Sequence, residues 1–448
     1  MIPQLAVLAL LIAGYALVAA RLDVRSISPA LAFVVIGWVA SDEVTGLVSL
    51  DPGSEILRTL AELTLTLVLF TDASTIRART LRRDALPEAR LLSIGLLLTL
   101  LAGALAAWLL FPGMGLGVAL LIGATLAPTD AALGQAVVTD RAVPNRIRRL
   151  LNVESGLNDG IATPFVLLAV SIAASEMTGS DHWVVRAVED AAIGAAVGLG
   201  LGFGGGRLLA TAHRRGWATP ASRQLFVLML AAASYLVAVS LTGNGFIAAF
   251  LGGLAFGAAT KGGEEGSVEF TELQGSLLAI GVWTAFGLAI AGQLLGPLLD
   301  LRAIVFAVLS LTVLRMAPVA LALVGLRFSR PSVLFIGWFG PRGLASIVFL
   351  TIGLDGLHGA GLDPTALAAC VGWTVLLSVV LHGLSARPLA ARFGRIVATL
   401  PAGSPELDDD EVSVEPRVAR TLWSAAGAAG VAGAAGTVGE ADALGHRS

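Results

Sequence analysis

Apolar runs of membrane-spanning length, broken by turn signals and charge clusters, recur along most of this chain. They lie near residues 3–20, 27–41, 55–72, 91–111, 115–138, 149–173, 183–206, 224–242, 244–260, 273–296, 300–325, 332–353 and 366–386. None shows the strict apolar–polar alternation of a half-buried strand, and several reach the ~20 residues that carry an α-helix across a bilayer. The pattern predicts an all-α polytopic membrane protein with about 13 transmembrane helices. The first run lacks a basic leader and an Ala-x-Ala cleavage site, so it is expected to stay as a helix. From about residue 401 the pattern stops. PAGSPELDDDEVSVEP is acidic and polar, and AAGAAGVAGAAGTVG is a small-residue tract. A disordered cytoplasmic tail is expected over 396–448, with Thr421, Leu422 and Trp423 as one short contact, and a membrane domain over 1–395.

Composition agrees. Charged residues make up 14% of the chain and the mean hydropathy is +0.84, against about 25% charged residues in soluble domains. The net charge of −3 offers nucleic acid no basic footprint. One cysteine, Cys370, excludes a disulfide framework, and the five histidines have no metal-ligand spacing. His358 and His382, near span ends, read as interfacial. Glycines cluster in GLGLGFGGGR at 198–207; with no Lys-Ser/Thr following, they read as a close helix-packing stripe rather than a phosphate loop.

Charge sets the orientation. With alternate loops placed inside, starting from Arg21–Arg25, the inside loops hold 21 of the 29 Lys and Arg and the outside connections hold three. That bias puts the N-terminus outside and the C-terminus in the cytoplasm. Two arginines, Arg315 and Arg342, remain inside apolar spans. A charge there costs roughly 2.5–3.5 kcal/mol on insertion scales and persists only beside a partner or a water-filled cavity. Asp130, Glu154 and Asp159 are the acidic candidates for partnership.

Prolines mark two interrupted spans. GATLAPTDAALG holds Pro128 and GWFGPRGLAS holds Pro341, each in mid-membrane. With six spans, a linker span and six more, these breaks take the fifth place in each half, and the halves run in opposite senses. Paired interruptions in inverted repeats point to a transport site at the midplane. The next span carries NVESGLNDGIATP at 152–164. Asp159 lies about ten residues in, ~15 Å along a helix crossing a ~30 Å layer. Ser155 and Asp159 share one face, suited to a dehydrated hard cation. Glu154 and Asn158 share the adjoining face, suited to a guanidinium.

The motifs APTD (127–130), ESGLND (154–159), GPRG (340–343) and LFTDAS (69–74), in this order, resemble those of the monovalent cation:proton antiporter family, in its NhaP-like, sodium/proton exchanger-type branch. The resemblance covers about residues 1–395. It implies a transporter rather than an enzyme: a homodimer in the cell membrane, with no cofactor, exchanging Na+, K+ or Li+ for H+. It implies two crossed, interrupted helices in a core around 115–173 and 332–386, beside a fixed dimerisation scaffold. Asp159 would carry cation or proton in turn, and Asn158 would mark one-for-one exchange. Ser155 and the backbone of Thr129 would add oxygen ligands. Glu154 would pair with Arg342, and Asp130 with Arg315. Asp130 also reads as a helix cap without ligation, and Asp72 as either a ligand or a solvated interfacial residue. Organic-anion symport would call for more cationic groups at the midplane, and a channel for rings of lining side chains.

Overall fold

The structure is a computed structural model describing residues 2–24, 27–51, 53–76, 85–130, 132–178, 183–261, 265–401 and 403–407. Each apolar run of the sequence is built mainly of helix, two of them with a break. In chain order the helices are α1 (Ile2–Val24), α2 (Pro29–Ala40), α3 (Glu55–Ser74), α4 (Ala85–Arg90), α5 (Leu96–Leu110), α6 (Leu116–Thr125), α7 (Gln135–Val138), α8 (Asn145–Thr178), α9 (Trp183–Arg214), α10 (Pro220–Ser240), α11 (Gly245–Thr260), α12 (Glu265–Ala289), α13 (Leu301–Leu311), α14 (Val313–Ala322), α15 (Arg330–Trp338), α16 (Leu344–Gly359) and α17 (Thr365–Val397). A π-turn over Leu91–Gly95 joins α4 to α5. By length and composition, six of the described helical segments can each cross a membrane: Leu86–Leu110, Asn145–Glu176, Pro220–Ser240, Gly266–Leu295, Leu301–Ala322 and Thr365–Val397.

Local chemistry sets the starts. Ser28, Ser54, Thr219, Asn244 and Ser329 cap α2, α3, α10, α11 and α15, each accepting a backbone N–H of the first turn. Proline follows within two residues in three of these, where its missing N–H costs nothing. The outward faces are apolar as well as the inward ones. On α5, Leu97, Leu101, Leu105, Trp108 and Leu109 are exposed while Leu96, Leu100, Ala104 and Ala107 are buried. A helix apolar all round, with half its surface uncovered, fits a lipid environment.

Two groups of helices pack among themselves. α2, α3 and α9–α12 form one, and α5–α8 with α13–α17 form the other; they meet where α3, α9, α11 and α12 face α8 and α16. The glycine stripe on α9 lets α11 lie against it backbone to backbone: a Cβ at Gly198 would strike Ala248, and one at Gly202 would strike Gly252. The packing reading of that stripe holds.

The tail departs from expectation at its start. Pro405–Leu407 forms a 3-10 turn with Glu406 buried. Its carboxylate accepts the Ser329 N–H at 2.6 Å, and Arg146 donates to the Pro405 carbonyl at 2.6 Å. The composition suggested a solvated segment, yet one carboxylate can use the unpaired amides at the start of α15. The expected contact at Thr421–Trp423 lies outside the described residues.

Candidate functional site

Two breaks face each other inside the second group of helices. After α6 the chain is unwound over 126–130 and 132–134, and between α15 and α16 it is unwound from Phe339 to Gly343. Pro128 and Pro341 lie in these stretches. Backbone groups released in an apolar interior must find partners, and here each break supplies the other's. The Asp130 N–H donates to the Pro341 carbonyl at 2.8 Å. Arg342 Nη1 donates to the carbonyls of Ala127 and Pro128 at 2.8 and 2.9 Å, at the C-terminal end of α6. The Asp130 carboxylate accepts the Leu344 N–H at 2.7 Å, at the N-terminus of α16. Its other oxygen accepts the N–H groups of Ala132 and Leu133. Ser346 Oγ donates to Thr125 O at 2.8 Å. A cation thus sits at a helix C-terminus and an anion at a helix N-terminus, each complementing the local dipole. A side chain at Gly343 would collide with the Asp130 carboxylate.

Of the two readings for Asp130, the structure supports the cap. The expected ion pairs are corrected. Glu154 pairs with Arg315, at 2.6 Å between Nη1 and Oε1, not with Arg342; Asp130 caps backbone amides instead of pairing with Arg315. The reason is positional. Arg342 lies in the break itself, where the carbonyls of Ala127 and Pro128 are its nearest acceptors. Arg315, on α14, reaches Glu154 past Gly340, whose missing side chain makes the room. Arg315 is 1% exposed, Glu154 3% and Arg342 0%.

α8 runs unbroken beside this crossing. Asp159 lies near its mid-length and is 9% exposed. One turn earlier, Ser155 Oγ lies 3.1 Å from Thr129 Oγ1 in the unwound segment. Asn158 Nδ2 donates to the same Thr129 hydroxyl at 2.6 Å. The structure therefore brings together Thr129, Ser155 and Asn158, with Thr129 engaged through its side chain. Asp159 shares the helix face of Ser155, so this face presents a carboxylate and hydroxyl oxygens, the donors a hard monovalent cation takes. Asp72 is buried in the last turn of α3, a helix packed against α8, α11 and α12, so the solvated interfacial reading is overturned. Among the described residues, no three of His, Cys, Asp and Glu gather to hold a metal ion.

One supporting residue escaped the sequence reading and another was misplaced by it. Ser378 Oγ accepts the Arg342 N–H at 2.7 Å. His382, read as interfacial, is buried; its ring bridges Ser378 O at 3.0 Å and Trp338 O at 2.9 Å, tying α17 to the C-terminal end of α15. Their i, i+4 spacing in the apolar stretch LLSVVLHG was the available signal.

The transmembrane model of the sodium/hydrogen exchanger family matches residues 7–392. The K(+)/H(+) antiporter NhaP of Alkalimonas amylolytica is 30% identical over 370 residues, covering 80% of this chain and 61% of that protein. Na(+)/H(+) antiporter 2 of Zygosaccharomyces rouxii is 27% identical over 338 residues, covering 66% of this chain and 40% of that protein. The chain thus spans less than two thirds of the length of these relatives. The solved structure of the sodium proton antiporter MjNhaP1 from Methanocaldococcus jannaschii superposes with a TM-score of 0.69 at 22% identity, over 85% of this chain and 99% of that one. The likeness establishes the same fold.

Proposed function

This chain belongs to the sodium/hydrogen exchanger family, and from that premise we propose that it exchanges a monovalent alkali cation for H+ by alternating access. Na+ is the proposed cation, with K+ and Li+ as alternatives, since the relatives named above include K+/H+ and Na+/H+ antiporters. One observation carries the reading: Asp159 stands at mid-helix on the oxygen-bearing face that Ser155 shares with Thr129, beside two crossed helix breaks. The breaks put polar backbone at membrane depth, which is tolerated only where it is buried in protein or lines a cavity. The capping of both breaks by Asp130 and Arg342 keeps their geometry fixed, so the ion meets a preorganised set of oxygens.

Asp159 carries either the cation or the proton. The two ligands then exclude each other, and exchange follows because the carrier crosses only when the carboxylate is compensated. Asn158, an amide beside Asp159, adds no second charge, so one cation is exchanged for one proton without net charge movement. Ser155 and Thr129 supply oxygen ligands, and Asp72 is a candidate further one from a flanking segment. No organic cofactor or resident metal enters this cycle, and the protein is a transporter rather than an enzyme. The reading includes a homodimer in the cell membrane, with the N-terminus outside and the C-terminus in the cytoplasm; α5–α8 and α13–α17 move against the remaining helices.

The test is Asp159→Asn, reconstituted in proteoliposomes with Na+, K+ and Li+ offered in turn against a pH gradient. The amide fills the same space but neither binds a proton at neutral pH nor balances a cation. Exchange above that of empty liposomes by the folded variant overturns the assignment.

A further inference from the structure

Among the described residues, a charged contact crosses the seam between the two helix groups. Arg58 on α3 donates from Nε to Glu62 on the same helix at 2.8 Å, and from Nη1 to Asp355 on α16 at 2.6 Å. Asp355 belongs to the other group. It sits near the far end of the half-helix whose N-terminus is capped by Asp130 at the crossing. The contact lies at the rim: the Arg58 and Asp355 side chains are 48% and 57% exposed. Gly53 lies close to His358 at the same end, so the α2–α3 and α16–α17 connections adjoin there.

We propose that Arg58 and Asp355 form a releasable latch across this seam, which holds the two helix groups together at this end and opens once in each transport cycle. The inference rests on the antiport reading, because alternating access requires one bundle to rock against the other. A 2.6 Å contact between the bundles cannot survive such a motion. Its construction makes release cheap. When Asp355 leaves, Arg58 keeps Glu62, and Asp355 is left in water rather than buried. The Glu154–Arg315 pair is the opposite case, buried at both ends and inside one bundle. An exposed pair shifts a two-state equilibrium by up to about fivefold, enough to bias the cycle without locking it. Arg58 is on this account a positioning residue that touches no transported ion.

Two measurements test the latch, one of them independent of transport. First, Arg58→Cys with Asp355→Cys is bridged by a reversible bifunctional thiol reagent in the reconstituted full-length chain; the native Cys370 is buried. Bridging, verified by mass, is expected to cut exchange at least tenfold, with recovery on reduction and no effect in either single variant. Second, spin labels at Ile56→Cys and His358→Cys, both exposed, report the separation of the bundles by pulsed dipolar spectroscopy. Arg58→Gln and Asp355→Asn are each expected to add a longer-distance population, and the double variant no more than either. The latch is overturned by a bridged protein exchanging at the rate of its reduced form, or by an unchanged distance distribution in Arg58→Gln. If the unmodified protein exchanges no alkali cation for protons, the antiport reading fails, and the distance measurement alone decides the latch.

Discussion

Arg315 and Glu154 meet at 2.6 Å with both side chains almost wholly buried, joining α14 to the helix that carries Asp159. Removing one member of such a pair leaves the other charge without compensation, at a cost of about 3–5 kcal/mol. Glu154→Ala and Arg315→Ala should each lower the melting temperature of the purified protein sharply. Glu154→Leu combined with Arg315→Leu should lower it less than the sum of the singles. Strict additivity in this cycle would show that the two residues do not act as partners.

The room for Arg315 comes from Gly340. Gly340→Ala puts a methyl group into the guanidinium, and overpacking of this kind costs about 1–3 kcal/mol. Its effect should largely vanish in the Arg315→Leu background, where the collision is gone. Equal losses of thermal stability in both backgrounds would assign the cost to backbone strain instead.

Asp130 accepts three backbone N–H groups, from Ala132, Leu133 and Leu344. Each buried donor left unmade costs about 1–3 kcal/mol. Asp130→Ala should therefore destabilise far more than Asp130→Asn, whose carbonyl oxygen can still accept from one of the two segments. A matching fall in melting temperature for both variants would mean that the charge matters rather than the bonds.

Coupling gives a voltage test. With Asp159 compensated by one cation or one proton and Asn158 neutral, the two crossing forms carry equal charge. Exchange of Na+ or Li+ in proteoliposomes clamped by a potassium diffusion potential should be flat with voltage. Below the titration point of the carrier, apparent cation affinity should fall about tenfold per pH unit, since a tenfold rise in protons corresponds to ~1.4 kcal/mol of competition. A steep voltage dependence, or an affinity constant from pH 5 to 9, contradicts one shared carboxylate.

The clip at Glu406 should respond to acid. Burial pushes its carboxyl up, but the hydrogen bond from the Ser329 N–H, with the polar groups of Ser332 and Ser329 nearby, outweighs that and holds it below the usual carboxylate range. A depressed folded value means the contact stabilises above the unfolded value of about 4.3 and is lost as pH falls through the folded one. The anisotropy of a fluorophore at Leu407→Cys should stay high near neutrality and drop below about pH 4. Glu406→Gln should drop it at every pH, and an indifferent signal would show that this carboxylate does not hold the segment.

Much of this protein was legible along the chain. Apolar runs located the helices because a bilayer imposes length and hydropathy on each segment separately, and Pro128 and Pro341 marked the two breaks, although Pro164, Pro318 and Pro388 stand inside continuous helices, so proline alone does not decide where a helix opens. The i, i+4 spacing put Ser155 and Asp159 on one face by helix geometry alone. Partnership was not legible. Arg315 and Arg342 are equivalent as buried cations in a sequence, and only the crossing of the two breaks decides that Arg342 meets the carbonyls of Ala127 and Pro128 while Arg315 reaches Glu154. The burial of Asp72 and His382, and the docking of Glu406 on the first turn of α15, were likewise decided by which surfaces the packing brings together. Periodicity is a property of one helix, whereas a charge chooses its partner from all the helices around it, and that choice exists only once the tertiary structure has formed.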